Sequence, residues 1–129
     1  MIIRSVKNVK GKTSVTLSHE GDEIKVGKVV MKWLTHKNLN GENVNFSVRH
    51  IVYEPGCDVP THEHEHCHQV YILEGKLEVR SNGETILLDP DTLYYVPPFE
   101  PHSSRNPTDK PTVILSCINC LRDGDNCSP

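Results

Sequence analysis

Turn-forming residues punctuate this chain at short intervals, and that rhythm limits the architecture more than any other feature. Asn40-Gly41, Glu54-Pro55-Gly56, Glu74-Gly75, Asn82-Gly83, Asp89-Pro90 and Pro97-Pro98 all carry turn chemistry. Between them lie β-branched and aromatic runs: VGKVVMKWL, VNFSVRHIVY, QVYILEG, KLEVRS, ETILLD, TLYYV and TVILSCI. Asn82-Gly83, set between KLEVRS and ETILLD, is a strong two-residue hairpin signal. Short strands at this spacing, with no long helical period, predict an all-β antiparallel sandwich or barrel. VYIL and VILSCI are apolar on consecutive residues, which predicts burial of both faces through sheet packing or dimerisation.

A length of 129 residues and a formal charge of −3 predict one compact domain with a core of its own. The absence of a basic stripe argues against a nucleic-acid partner. The first ten residues, MIIRSVKNVK, break their apolar run with charge. Neither a signal peptide nor a membrane partner is therefore expected, and cytoplasm is the default. In a reducing compartment the five cysteines, Cys57, Cys67, Cys117, Cys120 and Cys127, are read as free thiols or metal ligands rather than a disulfide framework. Cys117 closes an apolar run and reads as a small core residue. Cys120 and Cys127 read as thiols in a polar tail, with an accessory metal or redox site as the alternative.

The segment Thr61 to Gly75, THEHEHCHQVYILEG, carries histidine at positions 62, 64, 66 and 68. Alternate residues of an extended chain share one face, so imidazoles would line up there, His62 and His64 about 6.5–7 Å apart. A histidine-rich tract by itself is also compatible with a loose surface chelator. His19, His36 and His50 read as structural or exposed singletons. Within VNFSVRHIVY, Arg49 and His50 are adjacent, so one of the two faces the interior and requires a partner such as a bound anion. Which one does so is left open by the sequence.

Downstream, DPDTLYYVPPFEPHSSRN brings His102 in after a proline-rich turn. Together the two segments resemble the paired motifs of the cupin family. Gly56, His62, His64, position 68 and Gly75 stand at the spacing of the first motif, and Pro97, His102 and Asn106 at that of the second. Asp91 and Phe99 stand where the second motif has glycine, which predicts a turn of different shape there. Position 68 is histidine where most cupins have glutamate, so the resemblance implies a metal site of His62, His64, His68 and His102, with His66 outside it.

This pattern is similar to small single-domain (type-2) cupins with a four-histidine metal site. The resemblance implies an all-β double-stranded β-helix, or jelly-roll, barrel that pairs into a homodimer. Residues 1–43 would complete the barrel and the dimer contacts, 44–118 would form its core, and 119–129 would be a cysteine-containing tail. It also implies one divalent transition metal, with manganese, iron, copper, nickel and zinc all compatible with imidazole donors. Four ligands on an octahedral ion leave two positions for a small substrate that chelates through two oxygens. The expected activity is dioxygenase-like oxidoreduction, with Arg49, His50 and Tyr95 as candidate catalytic residues and Tyr94 as a further candidate at the rim. The alternatives are a metal-dependent isomerase or decarboxylase, and a non-catalytic small-molecule or metal-binding module.

Overall fold

The computed structural model describes residues 1–19, 22–39, 44–122 and 125–129. The Asn40-Gly41 turn, the His19 side chain, and Asp123 and Gly124 of the tail lie outside the described residues. Among the described residues, ten antiparallel strands form two packed sheets. β1 (Lys12–His19), β2 (Asp22–Thr35), β3 (Phe46–Tyr53), β10 (Thr112–Asn119), β5 (His68–Glu74) and β8 (Leu93–Val96) make the larger sheet, in that spatial order. β4 (Asp58–His62), β9 (His102–Arg105), β6 (Leu77–Ser81) and β7 (Glu84–Leu88) make the smaller. This is the jelly-roll barrel. Among the described residues, no helix is long and apolar enough to cross a membrane.

The core lies between the sheets. Val26, Val29, Ile51, Tyr53, Val70, Ile72, Leu77 and Ile114 are buried there, drawn from five strands of both layers. The hairpin at Asn82-Gly83 forms as expected, with both residues at positive φ (51° and 79°), as a two-residue turn between twisted strands requires. Within one chain VYIL and VILSCI are buried on one face, and burial of the second face would need a partner subunit. Along β5, Val70 and Ile72 are buried while Tyr71 and Leu73 are exposed, and β10 alternates in the same way. One face of these strands meets the core, and the other looks outward.

Two expectations fail. Asp91 and Phe99 do not reshape the second motif. They adopt φ of 63° and 62°, the left-handed conformation that glycine favours, so the turn is kept by non-glycine residues. Each is held by its backbone amide: Asp91 N donates to Ile72 O at 2.9 Å and Phe99 N to His64 O at 2.8 Å. By contrast, Gly75 (φ 76°) has no substitute, because a Cβ there would lie 2.7 Å from Pro111 O.

The cysteine reading is also corrected. Cys120 and Cys127 are joined as a disulfide, their Cα atoms 5.4 Å apart. The tail is docked rather than loose. Cys127 is fully buried, and its carbonyl accepts from Lys37 N (2.7 Å) and Ser47 Oγ (3.1 Å). These contacts draw the two cysteines together. Cys117 points to the outer face of β10, half-buried rather than in the core, and Cys57 is the buried thiol.

Candidate metal centre

The chain leaves β4 at His62 and enters β5 at His68, so the four alternating histidines do not share one strand face. His64 and His66 lie on the connection. His62 sits opposite His102 in the β4–β9 register, which brings two rings together within the smaller sheet. His68 faces them from the larger sheet. The residues that the sequence spacing singled out thus lie near one another, brought together by a turn rather than by an extended face.

Three of these rings are oriented in the same way. His62 Nδ1 lies 2.8 Å from Pro60 O, His64 Nδ1 2.6 Å from His66 O, and His102 Nδ1 2.8 Å from Glu100 O. A carbonyl only accepts, so each Nδ1 carries the proton and each Nε2 presents a lone pair. This is how metal-binding histidines are held. Ligand atoms of His62, His64 and His102 lie within 4.8 Å of one another. An imidazole-bound ion sits about 2.0–2.1 Å from each nitrogen, so small side-chain movements would close the set.

His68 joins them differently. Its Nε2 is 3.0 Å from His102 Nε2, and its Nδ1 is buried without a partner. His66 stacks on His64, with centroids 3.8 Å apart and planes 5° from parallel. Burial is the main cause that lowers the pKa of His64, His66, His68 and His102, and it carries His66 down to about 4. Neighbouring histidines and Arg49 add to this at His66 and His68. These four rings are therefore neutral near pH 7, the state in which imidazole binds a metal.

These rings border a cavity of about 400 Å³ between the sheets. Arg49 and His50 separate cleanly here. Arg49 borders the cavity, as does Ile51 two residues on, so His50 between them points out, near Lys32 and Glu74. The same parity corrects Tyr95. On β8 it is Tyr94 that borders the cavity, while Tyr95 is 52% exposed on the outer face beside Cys67. Trp33, Ser116 and Pro129 also border the cavity, and the sequence reading had not singled them out. Trp33 and Ser116 are the cross-strand neighbours of Arg49, visible only once register is known.

Asn106, the last position of the second motif, is buried and structural. Its Nδ2 donates to Tyr53 O and Lys110 O, and its Oδ1 accepts from Thr108. It holds the turn between β9 and β10. The Cupin domain family matches residues 49–118, more than half of the chain. The chain belongs to the cupin family.

Solved cupins reproduce the fold. A predicted oxalate decarboxylase from Thermotoga maritima shares 20% identity over 94% of this chain and 100% of its own, with a TM-score of 0.75. The polyketide cyclase RemF from Streptomyces resistomycificus shares 20% over 94% and 81%, at 0.73. A cupin domain of an XRE family transcriptional regulator from Enterobacter cloacae shares 27% over 73% and 98%, at 0.60. No curated protein matches the sequence. As a cupin, this chain shares its barrel with proteins of unlike description, so function must be argued from the site.

Proposed function

We propose that His62, His64, His68 and His102 hold one divalent transition-metal ion, and that this cupin is a dioxygenase-like oxidoreductase. Its substrate would be a small molecule that chelates the ion through two oxygens, such as a diketone, enediol or catechol. The observation that carries the reading is the set of three Nδ1–carbonyl hydrogen bonds, which aim three Nε2 lone pairs into one cavity. His68 completes the set through its approach to His102. His66 remains a stacking partner of His64.

When bound, such an ion supplies Lewis acidity that stabilises the enolate form of its ligand. The imidazoles are neutral and leave the ion's charge uncompensated, which favours anionic oxygen donors. Val26, Val29, Ile51, Val70 and Ile114 supply apolar walls that exclude water from the ligand. Among the described residues no Asp or Glu borders the cavity. A metal-dependent isomerase or decarboxylase would therefore have to draw its internal acid or base from His66 or Tyr94, both of which border the cavity. Pairing into a homodimer belongs to the same proposal, supported by Tyr71, Leu73, Leu93 and Tyr95 exposed on the larger sheet.

The test loads the protein with each of the five metals, measures metal per chain, and follows oxygen uptake with diketones, enediols and catechols. One ion per chain with oxygen consumption by at least one substrate class is the expected result. Turnover without oxygen uptake would replace the reading with isomerisation or decarboxylation. Ligand binding without turnover would replace it with a binding module.

A further inference from the structure

Among the described residues, one charged side chain that the metal does not use borders the cavity from within the barrel. Arg49 reaches it from β3, between neighbours on both sides. Trp33, its partner on β2, places its ring centroid 5.4 Å from the guanidinium carbon. Ser116, its partner on β10, accepts a hydrogen bond from Nη2 at 2.9 Å. Nε is buried and has no partner.

No carboxylate among the described residues pairs with this guanidinium. The titratable groups that act on it most are Tyr53, Cys117 and Tyr94, and each has its pKa raised and stays neutral near pH 7. Arg80 and Arg105 show the ordinary arrangement in this same chain, since both reach Glu78. A half-buried guanidinium with a buried Nε and no counter-charge carries a desolvation cost that a bound anion would offset. Among the described residues Arg49 has no acidic side chain beside it, keeps a buried Nε without a partner, and borders the same cavity as the histidines.

We propose that Arg49 anchors a carboxylate of the substrate. The substrate class is then a short carboxylic acid with an apolar middle and a separate two-oxygen end for the metal. The guanidinium fork suits a planar carboxylate. A phosphate dianion would call for a second buried cation, whereas Lys12, the other cation bordering the cavity, is exposed. The metal-binding end of this substrate rests on the function proposed above, but the carboxylate anchor does not depend on it.

Two experiments keep these apart. Trp33 is the chain's single tryptophan and lies against Arg49, so its emission reports on an anion bound there. In metal-free protein, butyrate should change that emission saturably, while butyramide and inorganic phosphate should not. In zinc-loaded protein under anaerobic conditions, 3,4-dihydroxybenzoate should bind roughly 10- to 100-fold more tightly than catechol by calorimetry, the range expected for a charge-assisted pair. Arg49→Gln should bring that ratio close to one without loss of metal, and Arg49→Lys should restore part of it.

Equal affinity of the two catechols in the wild type would overturn the proposal, as would a preference that survives Arg49→Gln. A phosphate response equal to that of butyrate would overturn the carboxylate assignment. Should Arg49→Gln fail to fold, the wild-type butyrate and butyramide titrations decide alone, and identical responses would reject the anchor. Failure of zinc to bind would count against the metal reading and leave the metal-free titration standing.

Discussion

His68 and His102, which come from opposite sheets, place their Nε2 atoms 3.0 Å apart. Since His102 Nδ1 donates to the Glu100 carbonyl, its Nε2 is an acceptor. His68 must then donate to it in the metal-free protein, which leaves His68 Nδ1 as a bare, buried acceptor. Among the four proposed ligands His68 is thus the one whose orientation no carbonyl fixes, and it is the position where most cupins have glutamate.

That difference predicts unequal effects of substitution. His62→Ala, His64→Ala and His102→Ala should each weaken metal binding at least 10- to 100-fold, because each removes an oriented donor. His68→Glu should keep the metal while weakening anionic chelators, since its carboxylate lowers the site's charge by one. His66→Ala should keep the metal. Metal per chain after dialysis is the measurement, and full occupancy in His102→Ala with loss in His66→Ala would reverse the assignment.

The left-handed Phe99 predicts a stabilising substitution. Its ring is 61% exposed and contributes little burial, while its φ of 62° is unfavourable for a bulky residue. Phe99→Gly should raise stability by about 0.5–1 kcal/mol, after allowance for glycine's greater freedom when unfolded. Gly75→Ala should instead cost about 2 kcal/mol or more, because its Cβ would meet Pro111 O at 2.7 Å. Denaturant melts of both variants provide the comparison. A destabilised Phe99→Gly would mean that the ring has a contact of greater value than the strain.

Acid should weaken the metal-free protein. Burial holds the pKa of His64, His66, His68 and His102 below 6.5, with His66 near 4. Between those folded values and 6.5, the unfolded chain binds more protons than the folded one, so stability falls as pH falls. It should be greatest above pH 6.5 and decline towards pH 4. Chelated protein melted at pH 7.5 and pH 5 should show the lower midpoint at pH 5, and a flat profile would reject burial of the neutral rings.

The fold should outlast the metal. Its core is apolar and independent of the histidines, so chelation should lower the melting temperature by a mass-action increment and leave a cooperative transition. A chelated protein without a transition would contradict this.

Reduction of Cys120–Cys127 should cost stability and leave the metal in place. The bridge closes a short loop, worth about 2 kcal/mol in the chain-entropy account, and it secures the tail whose Cys127 carbonyl is hydrogen-bonded to Lys37 and Ser47. Cys120→Ser with Cys127→Ser should lower the melting temperature with unchanged metal per chain. Loss of metal would show that the docked tail supports the histidines.

Much of this was legible in the sequence because it is written locally. The strands follow from turns and β-branched runs, and Asn82-Gly83 fixed a hairpin from two residues. The histidines were found by spacing. What escaped notice depends on pairing across the barrel. Arg49 and Ser116 are 67 residues apart, and nothing local marks Ser116 as a partner. Tyr94 and Tyr95 differ only in strand parity, which adjacent tyrosines do not disclose. Phe99 has a side chain that disfavours positive φ and Asp91 one that tolerates it, so the amide bonds to Ile72 and His64 reveal why the turn persists. The disulfide escaped because compartment was used to judge it, whereas the docking of Cys127 decides it.

The carbonyls of Pro60, His66 and Glu100 each lie two residues from the histidine they orient. Three donors are therefore aimed by their own short peptides, and not by the ion they await. The ordering entropy of these rings is prepaid when the chain folds, so an arriving ion meets a surface already shaped to capture it. Such a cradle should load with a rate proportional to metal concentration, the His68–His102 hydrogen bond being the one side-chain contact that has to break.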